Sequence, residues 1–412
     1  MRRALLLSIL AVAASWVSIG HPRAADPASG FQFQEQLVGD GFTYCFGIEV
    51  GDVDGDGDLD ITAADALPNN SLYWYENDGH GSFRKHVVQK DDPQRLERHA
   101  LADIDQDGHL DIVIVKNLFG DVLWFRNDGM PRNGKLWQRH LITDKKLVGA
   151  YDVAVADLDG DGDLDVAASS WRLSNNFVWF ENNSRPADGE WKMRMIDENV
   201  KETRMIRAAD IDNDGDPDLV CTAREEPLVA WYENPGHPAS RPWKKHIIDA
   251  TSPQPIHGEL VDMDKDGDWD LVLCLGMGYS GDLKLEQLAW YENPGRSEAR
   301  LWKKHVIQSG LVGAFEAATA DFDRDGDLDV VITTGYADLR KLGARQQSGV
   351  WLFENPGTPV GKWRAQLLRD NWQRANQVHT ADIDGDGWID IVAAAERGSN
   401  EVRWWRNLGG SK

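Results

Sequence analysis

One nine-residue pattern, Asp-x-Asp-x-Asp-Gly-x-x-Asp, is written seven times along this 412-residue chain. It begins as DVDGDGDLD at 52 and returns as DIDQDGHLD at 103, DLDGDGDLD at 157, DIDNDGDPD at 210, DMDKDGDWD at 262, DFDRDGDLD at 321 and DIDGDGWID at 382. Successive starts are 51, 54, 53, 52, 59 and 61 residues apart. A period of that size means one supersecondary unit per repeat, which cannot bury its apolar face alone. A run such as HALA or AATA precedes each copy, and one such as IVIV or VVIT follows. Next comes an aromatic tetrad (WYEN at 74, 231 and 290, WFRN at 124, WFEN at 179, LFEN at 352, WWRN at 404), then a turn and an outer run such as FRKHVV or WKKHII. Short runs rich in β-branched and aromatic residues, bounded by Gly, Pro, Asn and Asp, read as strands. Four strands per unit make a propeller blade.

The seventh unit stops at WWRNLGGSK, before its outer run. The missing run stands at the other end of the chain, as FQFQEQLV from Phe31. The expected fold is therefore all-β: a seven-bladed β-propeller of four-stranded blades, its ring closed by the N-terminal strand so that no edge is left open. Residues 26–412 form one domain on this reading. Residues 1–25 read as a secretory signal peptide, with two arginines ahead of an apolar run from Ala4 to Ile19. No later apolar run approaches the ~18 residues of a membrane span. The mature chain is expected to be a soluble monomer that is secreted, periplasmic or at the cell surface. Three cysteines allow one disulfide at most, and Cys221 and Cys274 lie in apolar runs as buried thiols would.

So many adjacent carboxylates repel unless a cation neutralises them. Calcium takes six to eight hard oxygen ligands, and alternate side chains of a tight loop supply them. The ligands would be Asp52, Asp54, Asp56 and Asp60 in the first loop, then Asp103, Asp105, Asp107 and Asp111 in the second. Asp157, Asp159, Asp161 and Asp165 follow, then Asp210, Asp212, Asp214 and Asp218, then Asp262, Asp264, Asp266 and Asp270. Asp321, Asp323, Asp325 and Asp329, and Asp382, Asp384, Asp386 and Asp390, complete the set. An EF-hand needs glutamate at position twelve; here that place holds Ala63 or Ile114, so the loop is of another kind. Up to seven Ca²⁺ are expected, which would bring the formal charge from −24 to −10. The loops hold 33 of the 68 acidic residues, leaving 35 against 44 lysines and arginines. The surface outside the loops is mildly basic.

Stretches such as LVGAYDVAVADLDGDGDLDVAAS and LVGAFEAATADFDRDGDLDVVIT resemble the FG-GAP/VCBS repeat family, calcium-loop propellers that include the head of integrin α-chains and many exported bacterial proteins. The resemblance covers essentially the whole mature chain. It implies the scaffold and the metal and leaves the task open.

A working site belongs where the repeats differ. His86, His140, His246 and His305 recur at one place on outer strands and read as packing residues. From the last motif aspartate to the third residue of the aromatic tetrad takes 15 or 16 residues in five blades, but 22 in blade five and 25 in blade six. Both insertions join strands two and three, on the face opposite the aspartate loops. They carry Tyr279, Lys284, Tyr336, Arg340, Lys341 and Arg345, and long loops on a rigid scaffold are where binding resides. Blade seven adds Trp372 and Arg374 beside them. On the innermost strands, alternation points Glu49, Arg98, Asp152, Arg207, His257, Glu259, Glu316 and His379 toward the central channel. These are either a site or a mutually paired lining.

Two functions fit. The first is a recognition module for a glycan or an extracellular protein. Tyr279, Tyr336 and Trp372 would stack on sugars, and Arg340, Arg345 and Arg374 would pair with carboxylates, with Lys284, Glu259 and Glu316 nearby. The second is a lyase of uronate polysaccharides. There Arg207, Arg340 or Arg374 neutralises the carboxylate, and His257, His379, Tyr279 or Tyr336 removes the adjacent proton. His99, His257 and His379 could alternatively converge on a transition metal. Export and the lack of a basic motif argue against nucleic acid.

Overall fold

The computed structural model describes residues 30–225, 227–295, 301–336 and 348–409. Residues 1–25, Arg340, Lys341 and Arg345 lie outside the described residues. Within them, 28 strands form seven four-stranded antiparallel sheets, the blades of a β-propeller. Blade one runs outward from the axis as β2 (Cys45–Gly51), β3 (Asp60–Asp65), β4 (Ser71–Asn77) and β5 (Phe83–Gln89). Five further sheets repeat that order. The last blade is β26 (Ala375–Ala381), β27 (Asp390–Ala395) and β28 (Glu401–Asn407), completed by β1 (Phe33–Gly39) from the other end of the chain. Phe33 pairs with Asn407 and Gln36 with Trp404.

The second strand of every blade is buried along its whole length, as β3 is in blade one. Neighbouring blades cover both its faces, so its sequence reads as a continuous apolar run instead of an alternation. Seven apolar clusters result, each chiefly between two adjacent blades. The tetrad asparagine adds a polar clip. Asn127 Nδ2 donates to Val53 O of the preceding blade at 2.7 Å, Asn234 Nδ2 to Leu158 O at 2.8 Å, and Asn77 Nδ2 to Ile383 O at 2.6 Å across the closure. The recurrent outer histidines lie flat on the tetrad tryptophans, at 4.4 Å for His86 on Trp74 and 4.2 Å for His246 on Trp231. Their role is packing. All three cysteines are buried and free. No helix among the described residues is long and apolar enough to cross a membrane.

The inner strands carry the feature that shapes the site. In six of the seven blades the register between inner and second strand slips at the end far from the aspartate loop, for example between Ala150 and Val153 and between Ala314 and Glu316. Such a bulge opposes an extra residue to its partner and re-aims side chains. Two consecutive residues then turn toward the axis.

Candidate functional site: an arginine-lined basin and seven aspartate loops

On the aspartate face, each loop is braced by its own backbone. In the first, Asp52 accepts from Gly55 N at 2.8 Å and Gly57 N at 3.0 Å. The ninth aspartate, Asp60, is almost fully buried and accepts from Val53 N at 3.0 Å and Asn77 N at 2.8 Å. Gly57 takes φ 96°, a conformation that only glycine adopts freely. The carboxylates converge: Asp52, Asp54 and Asp56, or Asp157, Asp159 and Asp165, offer oxygens within 4.8 Å of one another. Burial pushes the ninth aspartates up, to about 8 for Asp60, Asp165, Asp218 and Asp329. Asp262 Oδ1 and Asp382 Oδ1 are buried without a hydrogen-bond partner. Hard oxygen donors, converging and partly orphaned, fit Ca²⁺.

On the opposite face a cavity of about 570 Å³ opens on the axis, and every blade contributes to its wall. Six arginines line it: Arg95, Arg172, Arg204, Arg224, Arg374 and Arg397. Each lies over an aromatic ring. The guanidinium carbon of Arg172 is 4.0 Å from the Trp171 centroid, that of Arg374 4.2 Å from Tyr336, and that of Arg397 4.5 Å from Tyr44. Arg204 covers both Trp171 and Tyr151, at 4.4 and 4.7 Å.

Buried glutamates behind the wall fix five of these cations. Glu202 holds Arg204 at 2.6 Å, Arg224 at 2.8 Å and Arg172 at 2.9 Å. Glu97 holds Arg95 at 2.6 Å, and Glu396 pairs with Arg374. Burial works to raise the Glu202 carboxyl, but its three arginines outweigh it and leave it below the usual range. At Glu97 burial wins over Arg95, and the carboxyl is pushed up to about 7. Arginines outnumber these glutamates, so the basin is cationic.

The floor is a charge clamp. Arg98 of blade two reaches Glu316 of blade six, with Nη1–Oε1 at 3.0 Å and Nη2–Oε2 at 2.6 Å. The two blades stand on opposite sides of the ring, so this pair crosses the axis. Arg207 Nη1 lies 2.8 Å from Asp152 Oδ2, and its Nη2 is 3.6 Å from Glu316 Oε1. Asp152 and Glu316 follow Tyr151 and Phe315, which line the basin, and lie one step nearer the aspartate loops.

The structure therefore sorts the expected site residues. Tyr279, Tyr336 and Arg374 line the basin, while Lys284 is exposed on the strand 2–3 loop of blade five outside the lining. Trp372 is corrected: it is completely buried, its ring edge-on to Trp405 at 5.4 Å and its indole N–H donating to Glu401 Oε1 at 2.6 Å, so no sugar can stack on it. Arg207 and Glu316 belong to the floor and face each other, not a ligand. Glu259 accepts from Thr319 N at 2.7 Å and Thr319 Oγ1 at 2.9 Å.

His257 is fully buried beneath Tyr151, its Nε2 3.1 Å from the phenol oxygen, and burial holds it well below the ordinary histidine range. His379 is half-buried on β26, on the loop side of the floor. Neither histidine lines the basin. His99 Nε2 is engaged by Thr62 Oγ1 at 2.7 Å and His257 Nε2 by the Tyr151 phenol, so two of the three histidines already have partners of their own. Arg95, Arg172, Arg204, Arg224 and Arg397 escape the sequence reading because loop length alone does not mark their blades.

Four segments, 52–114, 103–168, 210–273 and 262–332, match the FG-GAP-like repeat, and 314–353 matches the FG-GAP repeat. No curated protein matches the sequence. Similar solved structures include an Agrocybe aegerita lectin that recognises non-reducing terminal N-acetylglucosamine, at 18% identity over 90% of this chain and 81% of the lectin, TM-score 0.39. BBS1N in complex with ARL6DN is similar at 11% identity over 92% and 97%, TM-score 0.53. A chain of the mitotic checkpoint complex follows at 10% over 98% and 100%, TM-score 0.53. The likenesses at 0.53 show a shared fold alone.

Proposed function

The chain belongs to the FG-GAP repeat family, and on that premise we propose that it is an exported, calcium-holding recognition module that takes an acidic glycan into the arginine-lined basin. The observation that carries this reading is the set of six guanidiniums over aromatic rings, five of them fixed there by buried glutamates. Guanidinium is planar and matches a carboxylate bidentately. Aromatic rings beside it offer sugars a flat apolar face. Wall positions locked by buried partners lose little entropy when a ligand arrives. Calcium in the aspartate loops would neutralise the converging carboxylates and so stabilise the scaffold that positions the wall.

Lyase chemistry is the weaker reading. A base must reach the substrate proton, and the expected histidines lie beneath or beyond the floor. Two of the phenols that do line the wall are held protonated: burial pushes Tyr151 up to about 12 and Tyr336 well above its ordinary value. Binding without turnover is the expected behaviour.

Calorimetric titration with uronate oligosaccharides and with neutral ones tests both readings. Acidic chains should bind, more weakly as salt rises, and neutral chains should not. Arg172→Ala and Arg374→Ala should each weaken binding by ~1–3 kcal/mol, the range for charged hydrogen bonds. Equal affinity for neutral and acidic chains would overturn the proposal. Unsaturated product appearing by ultraviolet absorbance would revive the lyase.

A further inference from the structure

The seven aspartate loops are alike in sequence, but their surroundings differ in one charge. The third residue of the aromatic tetrad sits at the end of the third strand, beside the loop. It is glutamate in blades one, three, four, five and six (Glu76, Glu181, Glu233, Glu292, Glu354) and arginine in blades two and seven (Arg126, Arg406). Arg126 Nε lies 2.5 Å from Asp105 Oδ2 and its Nη2 3.0 Å from Asp107 Oδ2. Arg406 repeats the contact, with Nε 2.5 Å from Asp384 Oδ2 and Nη2 3.1 Å from Asp386 Oδ2. Both guanidiniums therefore bridge the carboxylates at loop positions three and five.

Blade one keeps its glutamate and reaches the same state by another route. Arg132, from the short turn Pro131–Asn133 of blade two, places Nη2 2.5 Å from both Asp54 Oδ2 and Asp56 Oδ2, with Nε 2.7 Å from Glu76 Oε1. Blades seven, one and two are consecutive around the closed ring. In the loops of blades three, five and six, no lysine or arginine among the described residues reaches the position-three or position-five carboxylate, and the tetrad residue there is a further acid. The convergent oxygens differ accordingly. They come from positions one, three and five in blades one and two, and from positions one, three and nine in blades three and five.

We propose that the loops of blades seven, one and two carry Arg406, Arg132 and Arg126 as built-in counter-ions, and that high-affinity calcium is confined to the other loops. A guanidinium that already bridges two ligand carboxylates competes with the ion for the same oxygens. Calcium entering such a loop must displace it and would lie against a residual positive charge. The ring-closing blade and the two that follow it around the ring are thus independent of metal, and the dependent sector lies across the ring. This inference rests on the calcium reading above and narrows it.

Equilibrium dialysis of the full chain against radiolabelled calcium counts the ions directly. No more than four of the seven loops should fill at high affinity. Arg126→Glu and Arg406→Glu, which install the residue found in blades three to six, should each add one ion, and Arg132→Gln should add one. Hydrogen exchange on the unaltered protein supplies a measurement that no variant can spoil. Chelation should speed exchange in loops 157–165, 262–270 and 321–329 and leave 52–60, 103–111 and 382–390 unchanged. Seven tight ions, or a count that none of the three substitutions raises, or uniform exchange, would overturn the proposal while leaving the calcium reading intact. No bound calcium at all would sink the calcium reading itself.

Discussion

Replacing Glu316 by alanine should cost about 3–5 kcal/mol, the usual penalty for removing one partner of a buried ion pair. Arg98 and Glu316 are 2% and 3% exposed, so water cannot stand in for the missing carboxylate. The two terminal nitrogens of Arg98 that now donate to Glu316 would lose their acceptor. Asp152 would remain as the nearest carboxylate, 4.0 Å from Arg98 and already engaged by Arg207 at 2.8 Å. Two cations would then share one anion in a closed space. Glu316→Gln keeps the shape and one acceptor oxygen and should cost less, about 1.5–3 kcal/mol. The double variant Arg98→Met/Glu316→Leu removes both charges and should return to within about 1 kcal/mol of the parent, because apolar pairs often replace buried ion pairs at no loss. Urea unfolding at constant slope reads all three. If Glu316→Ala costs less than about 1 kcal/mol, the pair is hydrated as surface pairs are, and the floor is not closed.

Three further outcomes follow from the geometry. In chelator, the ninth aspartates are pushed by burial up to about 7 (Asp111, Asp270, Asp390) or about 8, against about 3.9 when unfolded. The folded state then binds the extra protons, so the melting temperature of the chelated protein should fall as pH rises from about 5 to about 8, and added Ca²⁺ should remove that fall; a flat chelated profile contradicts it. Deleting residues 31–39 strips the ladder from β28 and the nearly buried Phe31 and Val38, so the truncated chain should aggregate or melt far earlier, and an equally stable monomer would refute ring closure. Protonation of Glu97 near pH 7 adds net positive charge to the basin, so uronate binding should tighten between about pH 8 and pH 6; calorimetry showing weaker binding at the lower pH would count against Glu97 as a wall anchor.

The architecture was legible because its determinants are repeated. Seven copies of one loop, and a terminal run that matches a gap at the other end, leave little freedom once edges must be paired. The basin was legible only in part. Loop length pointed to blades five and six, and Tyr279 and Tyr336 do line the cavity, yet most of its arginines come from blades two, three and four. Arg172, Arg224 and Arg397 sit in strand 2–3 loops of ordinary length, each the lone cation of its loop. Alternation on the inner strands rightly set Arg98, Asp152 and Glu316 on the axis. It could not add Phe46, Tyr151, Arg204 and Phe315, because the bulge that turns a second consecutive side chain inward leaves no periodic trace. Trp372 misled for the opposite reason: a loop tryptophan beside polar residues reads as exposed, whereas Trp405 and Glu401 draw it into the blade.

The clamp between Arg98 and Glu316 makes the basin a cul-de-sac. Nothing that enters can emerge on the aspartate face, so a polymer cannot thread the ring. It can only insert a terminus, and it must withdraw by the mouth it came in through. Lengthening the chain beyond the units that fit would add drag outside the mouth without new contacts on the wall. For a chain ligand, selectivity in such a vessel would fall on how the chain ends and not on its internal repeat.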